Sequence, residues 1–297
     1  MRHPPRDTMA MRFSNHLLAS TIALALVACA SDPPPPPMPQ PTLSSPLAGS
    51  IPADPVPDAS ADAADAALPT PAEAIRAALE APDRDEKDRA LDAQRHPAEM
   101  LSFFHIAPGQ NVAELVVGGG YTTELLARVV GERGEVFAEN PRFIRDKFAA
   151  KPWGDRMSKP IMTNVRSVER ELESPLPPEA RDLDAVLMVL FYHDTIWMKT
   201  DRAKMNQAVF DALKHGGIYG IVDHSGRAGT GTGEAQTLHR IEEKVVIDEV
   251  TKAGFKLQGD ADFLRNPNDK RDWNDSPMAA GAKRGTSDRF VLAFVKP

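Results

Sequence analysis

At 297 residues the chain has room for one large domain or two small ones, and 42 acidic against 35 basic side chains leave a net charge of −7 and no basic surplus for a nucleic-acid partner. Its one cysteine, Cys29, lies near the start, so the remainder has no disulfide, no thiolate metal site and no cysteine nucleophile.

Residues 1–29 combine basic side chains (Arg2, Arg6, Arg12), an apolar run from Leu17 to Ala28 and then Cys29, the layout of a secretory signal rather than a membrane span. The tetrad Leu26-Val27-Ala28-Cys29 resembles the bacterial lipobox. That resemblance implies a lipid on Cys29, export to the periplasmic side of the cell envelope, and contact with the membrane through this anchor only. Residues 30–72 carry five consecutive prolines at 33–37 and then mostly Pro, Ala, Ser and Asp. Such a segment lacks the large apolar side chains needed to offset the entropy of folding, and it predicts an extended, disordered tether. Residues 73–297 remain as the working domain.

Ala72 to Leu91 is rich in Ala, Glu, Arg and Leu with a break at Pro82, which predicts two short helices. A third starts at Pro97 and runs to Phe104, with Met100, Leu101, Phe103 and Phe104 on one face. Pro108-Gly109 turns the chain into a strand from Asn111 to Val117, which runs into Gly118-Gly119-Gly120 and a helix from Thr122 to Val130. A turn without side chains lets a ligand approach the backbone, and the helix start offers unpaired N–H groups. Glu135–Glu139 predicts a second strand, Asn140-Pro141 starts a helix to about Ala150, and a third strand is expected around Met162–Val165. Leu183–Leu190 is apolar on both faces, as in the middle of a parallel sheet, and ends in Phe191-Tyr192-His193-Asp194. A helix over Asp201–Lys214 leads to a strand over Ile218–Val222 that ends in Asp223-His224. Gly226–Gly233 predicts a loop, and Glu234–Ala253 one long amphipathic helix stopped at Gly254. Strands at Phe255–Leu257 and Arg289–Val295 enclose a long polar loop carrying Trp273. The alternation predicts an α/β fold with a doubly wound, mostly parallel sheet, whose ligands sit beyond the carboxyl ends of the strands.

The set Arg95-His96-Pro97, Glu114 with Gly118-Gly119-Gly120, Tyr192-His193-Asp194, Leu213-Lys214-His215-Gly216-Gly217-Ile218, Asp223-His224, Leu238-His239-Arg240-Ile241 and Asp288-Arg289-Phe290-Val291-Leu292 falls in this order along the chain. With it, residues 84–297 resemble the class I S-adenosylmethionine-dependent methyltransferases, and more narrowly their exported lipoprotein group. The resemblance implies a Rossmann-like methyltransferase fold with a seven-stranded sheet and a reversed last strand. It implies S-adenosylmethionine as cofactor, a small-molecule or envelope-associated methyl acceptor, and no metal. Glu114, Gly118, Gly119 and Gly120 would hold the cofactor, and Glu139 would bind its ribose hydroxyls. His193 would be the base, with Tyr192 positioning the acceptor and Asp194 orienting the imidazole. Arg95, His96, Asp223 and His224 would lie on the acceptor side. The chain departs from the family in one place: the first glycine of acid-x-Gly-x-Gly-x-Gly is Val116, which predicts hindered approach of the cofactor's methionine part.

Other readings fit less well. A nicotinamide-dependent dehydrogenase wants a third glycine where Thr123 stands. A metal hydrolase using His193, Asp194, Asp223 and His224 lacks any H-E-x-x-H spacing. A non-catalytic, methyltransferase-like binding protein of the envelope stays open, because S-adenosylmethionine is made in the cytoplasm.

Overall fold

The computed structural model describes residues 67–297; Cys29, the signal segment and the tether as far as residue 66 lie outside the described residues. The first helix among the described residues is α1 (Pro71–Glu80), just inside the stretch read as tether. Thr70 Oγ1 accepts the Glu73 N–H, Glu73 Oε2 accepts the Thr70 N–H at 2.9 Å, and Pro71 fills a first-turn position that has no N–H to lose. Then come α2 (Glu86–Arg95), α3 (Pro97–Phe103), β1 (Asn111–Leu115), α4 (Tyr121–Val130) and β2 (Glu135–Glu139). The helix after Pro141 runs past its expected end, as α5 (Arg142–Ile144), a π turn over Arg145–Ala149 and α6 (Ala150–Met157). The third strand, β3 (Val165–Val168), lies later than expected, because Pro160–Met162 forms a 3-10 turn. The second half is β4 (Leu183–Val189), α7 (Asp194–Trp197), α8 (Arg202–Ala212), β5 (Leu213–His224), α9 (Ala235–Leu238), α10 (Glu243–Lys252), β6 (Lys256–Ala261) and β7 (Arg289–Val295).

The strands form one seven-stranded sheet in the order β3-β2-β1-β4-β5-β7-β6. From β3 through β5 all neighbours run parallel, and β7 runs antiparallel to both β5 and β6. The reversed last strand expected from the resemblance is present. Alternate side chains of each strand feed two cores, since successive Cβ atoms point to opposite faces. On β4, Ala185 and Leu187 join the core that holds α1, α3 and α4, whereas Val186 and Met188 join the one that holds α8 and α10. Leu187 is fully buried, and its truncation to alanine costs about 2–5 kcal/mol by general experience with such sites.

Two boundaries differ from the sequence reading for reasons that lie in tertiary contacts. Strand β5 begins at Leu213 and takes in His215-Gly216-Gly217, with a register jump between the pairs Leu183–Leu213 and Ala185–Ile218. The long helix expected over Glu234–Ala253 is two helices. His239 adopts a left-handed backbone (φ 52°), and Ile241 pairs in parallel with Ser225, just past the end of β5. Among the described residues no helix is long and apolar enough to cross a membrane.

Candidate functional site

The turn after β1 carries three left-handed residues: Val116 (φ 55°), Gly118 (φ 54°) and Gly120 (φ 78°). For a β-branched residue this is a strained conformation. Val116 is held there by burial in the second core and by its N–H, which donates to Glu139 Oε2 at 3.1 Å. The N–H of Gly118 donates to Asn140 Oδ1 at 2.9 Å, and Asn140 Nδ2 donates back to the Gly118 carbonyl at 3.2 Å. A Cβ on Gly118 would meet nothing within 4 Å, so its face is open to a ligand. Gly120 is different. A Cβ there would lie 2.7 Å from Trp153 and 2.9 Å from Arg156, so this glycine makes room for α6 and not for a cofactor. Gly119 lies between them, with its carbonyl accepting from Arg156 Nε at 2.6 Å. Arg156 in turn pairs with Asp88 at 2.6 Å and with Glu124, and so ties the turn to α2 and α4.

The two acids expected at the cofactor are both buried, in different settings. Glu114 accepts from the Thr123 hydroxyl at the start of α4; burial pushes its carboxyl up to about 7, against the opposing hydrogen bonds of Thr123 and Thr122. It braces the first turn of that helix. Glu139, at the end of β2, is fully buried; Oε2 accepts from Val116, while Oε1 has no partner among the described residues. Burial raises its carboxyl well above the usual range. A buried carboxyl oxygen without a partner is costly, so this atom marks a place where a ligand hydroxyl would be stabilising.

At the ends of β4 and β5 a second group of polar residues converges. Asp223 is fully buried; its Oδ1 lies 2.7 Å from His193 Nδ1, and its Oδ2 accepts the His193 N–H at 2.7 Å. On the other side of the ring, His193 Nε2 lies 3.1 Å from His239 Nδ1 and 3.2 Å from Asp194 Oδ1. Burial alone would lower the His193 pKa, but the charge of Asp223 and the hydrogen bonds to Asp194 and Asp223 carry it up to about 10. Burial would raise that of Asp194, yet hydrogen bonds to His193 and His239 hold it well below the usual carboxylate range. Both ring nitrogens of His193 are thus engaged by neighbouring side chains, which leaves neither open to take a proton from a substrate. His224 packs its ring 5.4 Å from that of His193, and its Nδ1 lies 2.6 Å from Asp275 and 2.9 Å from Ser287 Oγ; burial lowers its pKa, against the pull of Asp275.

The remaining expected site residues lie elsewhere. The Tyr192 hydroxyl donates to Glu249 Oε2 at 2.9 Å and accepts from Asn206 Nδ2 at 2.8 Å, in the core under α8 and α10, so it does not face an acceptor. Tyr192 and His193 lie in the turn between β4 and α7, and their side chains point to different surroundings. His96 is the left-handed hinge between α2 and α3, with Nδ1 3.1 Å from Glu99 Oε1. Arg95 stacks on the ring of Tyr121 at 4.6 Å and lines, with Thr122, Val189, Leu190 and Arg289, a cavity of about 10 Å³, room for no more than one water. A larger depression of about 420 Å³, between Asn111, Arg133, Glu135 and Asn164, lies at the opposite ends of the strands, away from these groups. His239 was not among the expected site residues, although Leu238-His239-Arg240-Ile241 was part of the resemblance; helical periodicity hides the break that turns it inward.

The strand order, the reversed β7, the glycine turn after β1 and the acid closing β2 together make the fold of the class I S-adenosylmethionine-dependent methyltransferases. Among solved structures the chain is similar to a SAM-dependent methyltransferase from Aquifex aeolicus, at 18% identity and a TM-score of 0.51 over 72% of this chain and 100% of that one. It is similar also to a chain of the structure described as the "complex between the Haloferax volcanii Trm112 methyltransferase activator and the putative methyltransferase", at 14% identity and a TM-score of 0.51 over 78% and 100% of the two chains. No protein-family model and no curated protein matches the chain.

Proposed function

We propose that the chain binds S-adenosylmethionine across the ends of β1 and β2 and directs its methyl group to an acceptor beyond β4 and β5. The observation that carries this reading is Glu139, whose unpaired, buried Oε1 sits at the strand end where nucleotide-binding sheets of this kind meet a ribose diol. A hydroxyl donating to Oε1 removes an unsatisfied acceptor, and the open face of Gly118 leaves the backbone free to be approached. When bound, the cofactor supplies an activated methyl group on a sulfonium. The task of the protein is then to hold the acceptor in line with it. With both ring nitrogens engaged, His193 does not take a proton from the acceptor, which favours an acceptor atom with a free lone pair.

Glu139→Gln tests the reading. Glutamine keeps an acceptor for the Val116 N–H and cannot accept a second hydroxyl, so binding of S-adenosylhomocysteine should weaken by about tenfold or more while thermal stability is kept or raised. Equal binding by wild type and variant would contradict it.

From Leu26-Val27-Ala28-Cys29 alone we also propose that Cys29 is lipidated and that the domain works on the periplasmic side of the envelope. Metabolic labelling with a radioactive lipid precursor should mark the wild type and not Cys29→Ala; label retained by the variant would rule the anchor out.

A further inference from the structure

His193 Nε2, His239 Nδ1 and Asp194 Oδ1 form a nearly equilateral triangle with edges of 3.1, 3.2 and 3.2 Å. Hydrogen bonding alone does not account for it. Each ring nitrogen carries at most one hydrogen and the ionised carboxylate carries none. If only one nitrogen is protonated, the other two atoms face each other lone pair to lone pair. If both are protonated, the nitrogens face each other hydrogen to hydrogen. Whatever the protonation, one edge is repulsive.

A cation above the triangle removes the conflict on all three edges. Donor atoms about 2.1 Å from a divalent ion are about 3.0 Å apart at right angles and about 3.4 Å apart at tetrahedral angles, and the observed edges fall between these limits. The surroundings are those of a built site. The His193 Nδ1 contact with Asp223 at 2.7 Å fixes the ring, so that Nε2 is aimed at the triangle, as carboxylates do behind metal-binding histidines. Trp197 Nε1 donates to Asp194 Oδ1 at 2.6 Å and fixes that side chain as well. The side chains of His193, Asp194 and His239 are 3%, 15% and 24% exposed, so the inner wall is sealed and the outer side is open to water or an oxygen donor.

We propose that His193, Asp194 and His239 bind a first-row divalent transition metal ion such as Zn²⁺, with Asp223 as the positioning residue behind His193. Two imidazoles and one carboxylate suit such ions better than Mg²⁺ or Ca²⁺, which prefer all-oxygen sites. The site does not depend on cofactor binding at β1 and β2. No H-E-x-x-H spacing announces it, because the left-handed backbone at His239 delivers the third ligand from 46 residues away.

Zinc titration of the full-length, tag-free, metal-stripped chain against a chromophoric chelator tests this, with Co²⁺ absorption as a second readout. The expected result is about one equivalent of Zn²⁺ held at micromolar or tighter affinity, with visible Co²⁺ bands of a nitrogen and oxygen site. His239→Ala, a change at the exposed rim, should weaken binding by about a hundredfold or more, and Asp223→Asn by about 10–100-fold. His215→Ala, at the far end of β5, should bind as the wild type does. Wild-type protein that holds no zinc more tightly than roughly 100 µM overturns the proposal even if a variant fails to fold, since structural sites of this kind bind far more tightly. Undiminished binding by folded His239→Ala also overturns it.

Discussion

Val116 occupies a slot that its fold ordinarily gives to glycine, and it does so in the glycine conformation, at φ 55°. For a branched side chain the left-handed region costs about 1–2 kcal/mol. Burial in the second core and the hydrogen bond to Glu139 offset that strain. The strain makes a prediction with an unusual sign. In an ordinary strand, glycine is less stable than alanine by about 0.5–1 kcal/mol. At position 116 both substitutions lose the same buried methyl groups, while only glycine relieves the backbone. Val116→Gly should therefore be more stable than Val116→Ala by about 1 kcal/mol in urea unfolding. The opposite order would show that the left-handed turn relaxes. The missing glycine is visible in the sequence, but its consequence is not. The sequence suggests a hindered approach of the cofactor's methionine part, and the structure adds a kept turn under strain and a buried side chain. Nothing in the run Gly118-Gly119-Gly120 tells apart the glycine with an open face from the one filled by Trp153.

At the scale of elements, the decisive feature is the break between α9 and α10. Leu238, Ile241 and Val245 recur at helical spacing straight across it, so periodicity calls for one helix. The break is made by Arg240, which is fully buried. Its Nη1 lies 2.9 Å from Asp269 and donates to the Ser225 carbonyl at 3.2 Å, Nε donates to the Trp273 carbonyl at 3.2 Å, and the guanidinium stacks on the Trp273 ring at 4.7 Å. These partners sit in the end of β5 and in the long polar loop before β7, beyond the reach of any local pattern. The same contacts hold His239 against His193. Removing one partner of a buried ion pair leaves the other charge uncompensated, so Arg240→Ala should cost about 3–5 kcal/mol in chemical denaturation. Arg240→Lys should recover little, because an ammonium cannot serve Asp269, two carbonyls and a ring face together. A loss below about 1 kcal/mol for Arg240→Ala would mean that the break has another cause.

Over the whole molecule, what the sequence made legible is what strand chemistry dictates. Leu183–Val189, apolar on both faces, marks the centre of a parallel sheet, and Glu139 closes β2 while Asp223-His224 ends β5. What was hidden depends on contacts between distant segments: the clamp of Arg156 on the glycine turn, the core position of Tyr192, and the inward His239. The sheet brings two polar groups to one edge, since β1 and β4 are parallel neighbours and β5 lies next to β4. One is the glycine turn with Glu139, and the other is the histidine cluster. The central proposal is that the first of these holds S-adenosylmethionine. Calorimetric titration of S-adenosylhomocysteine into the full-length protein tests it most directly. A saturable heat with a dissociation constant in the micromolar range, weakened about tenfold or more by Glu139→Gln, is the expected result. No heat from the wild type at ligand concentrations up to roughly 1 mM would contradict it.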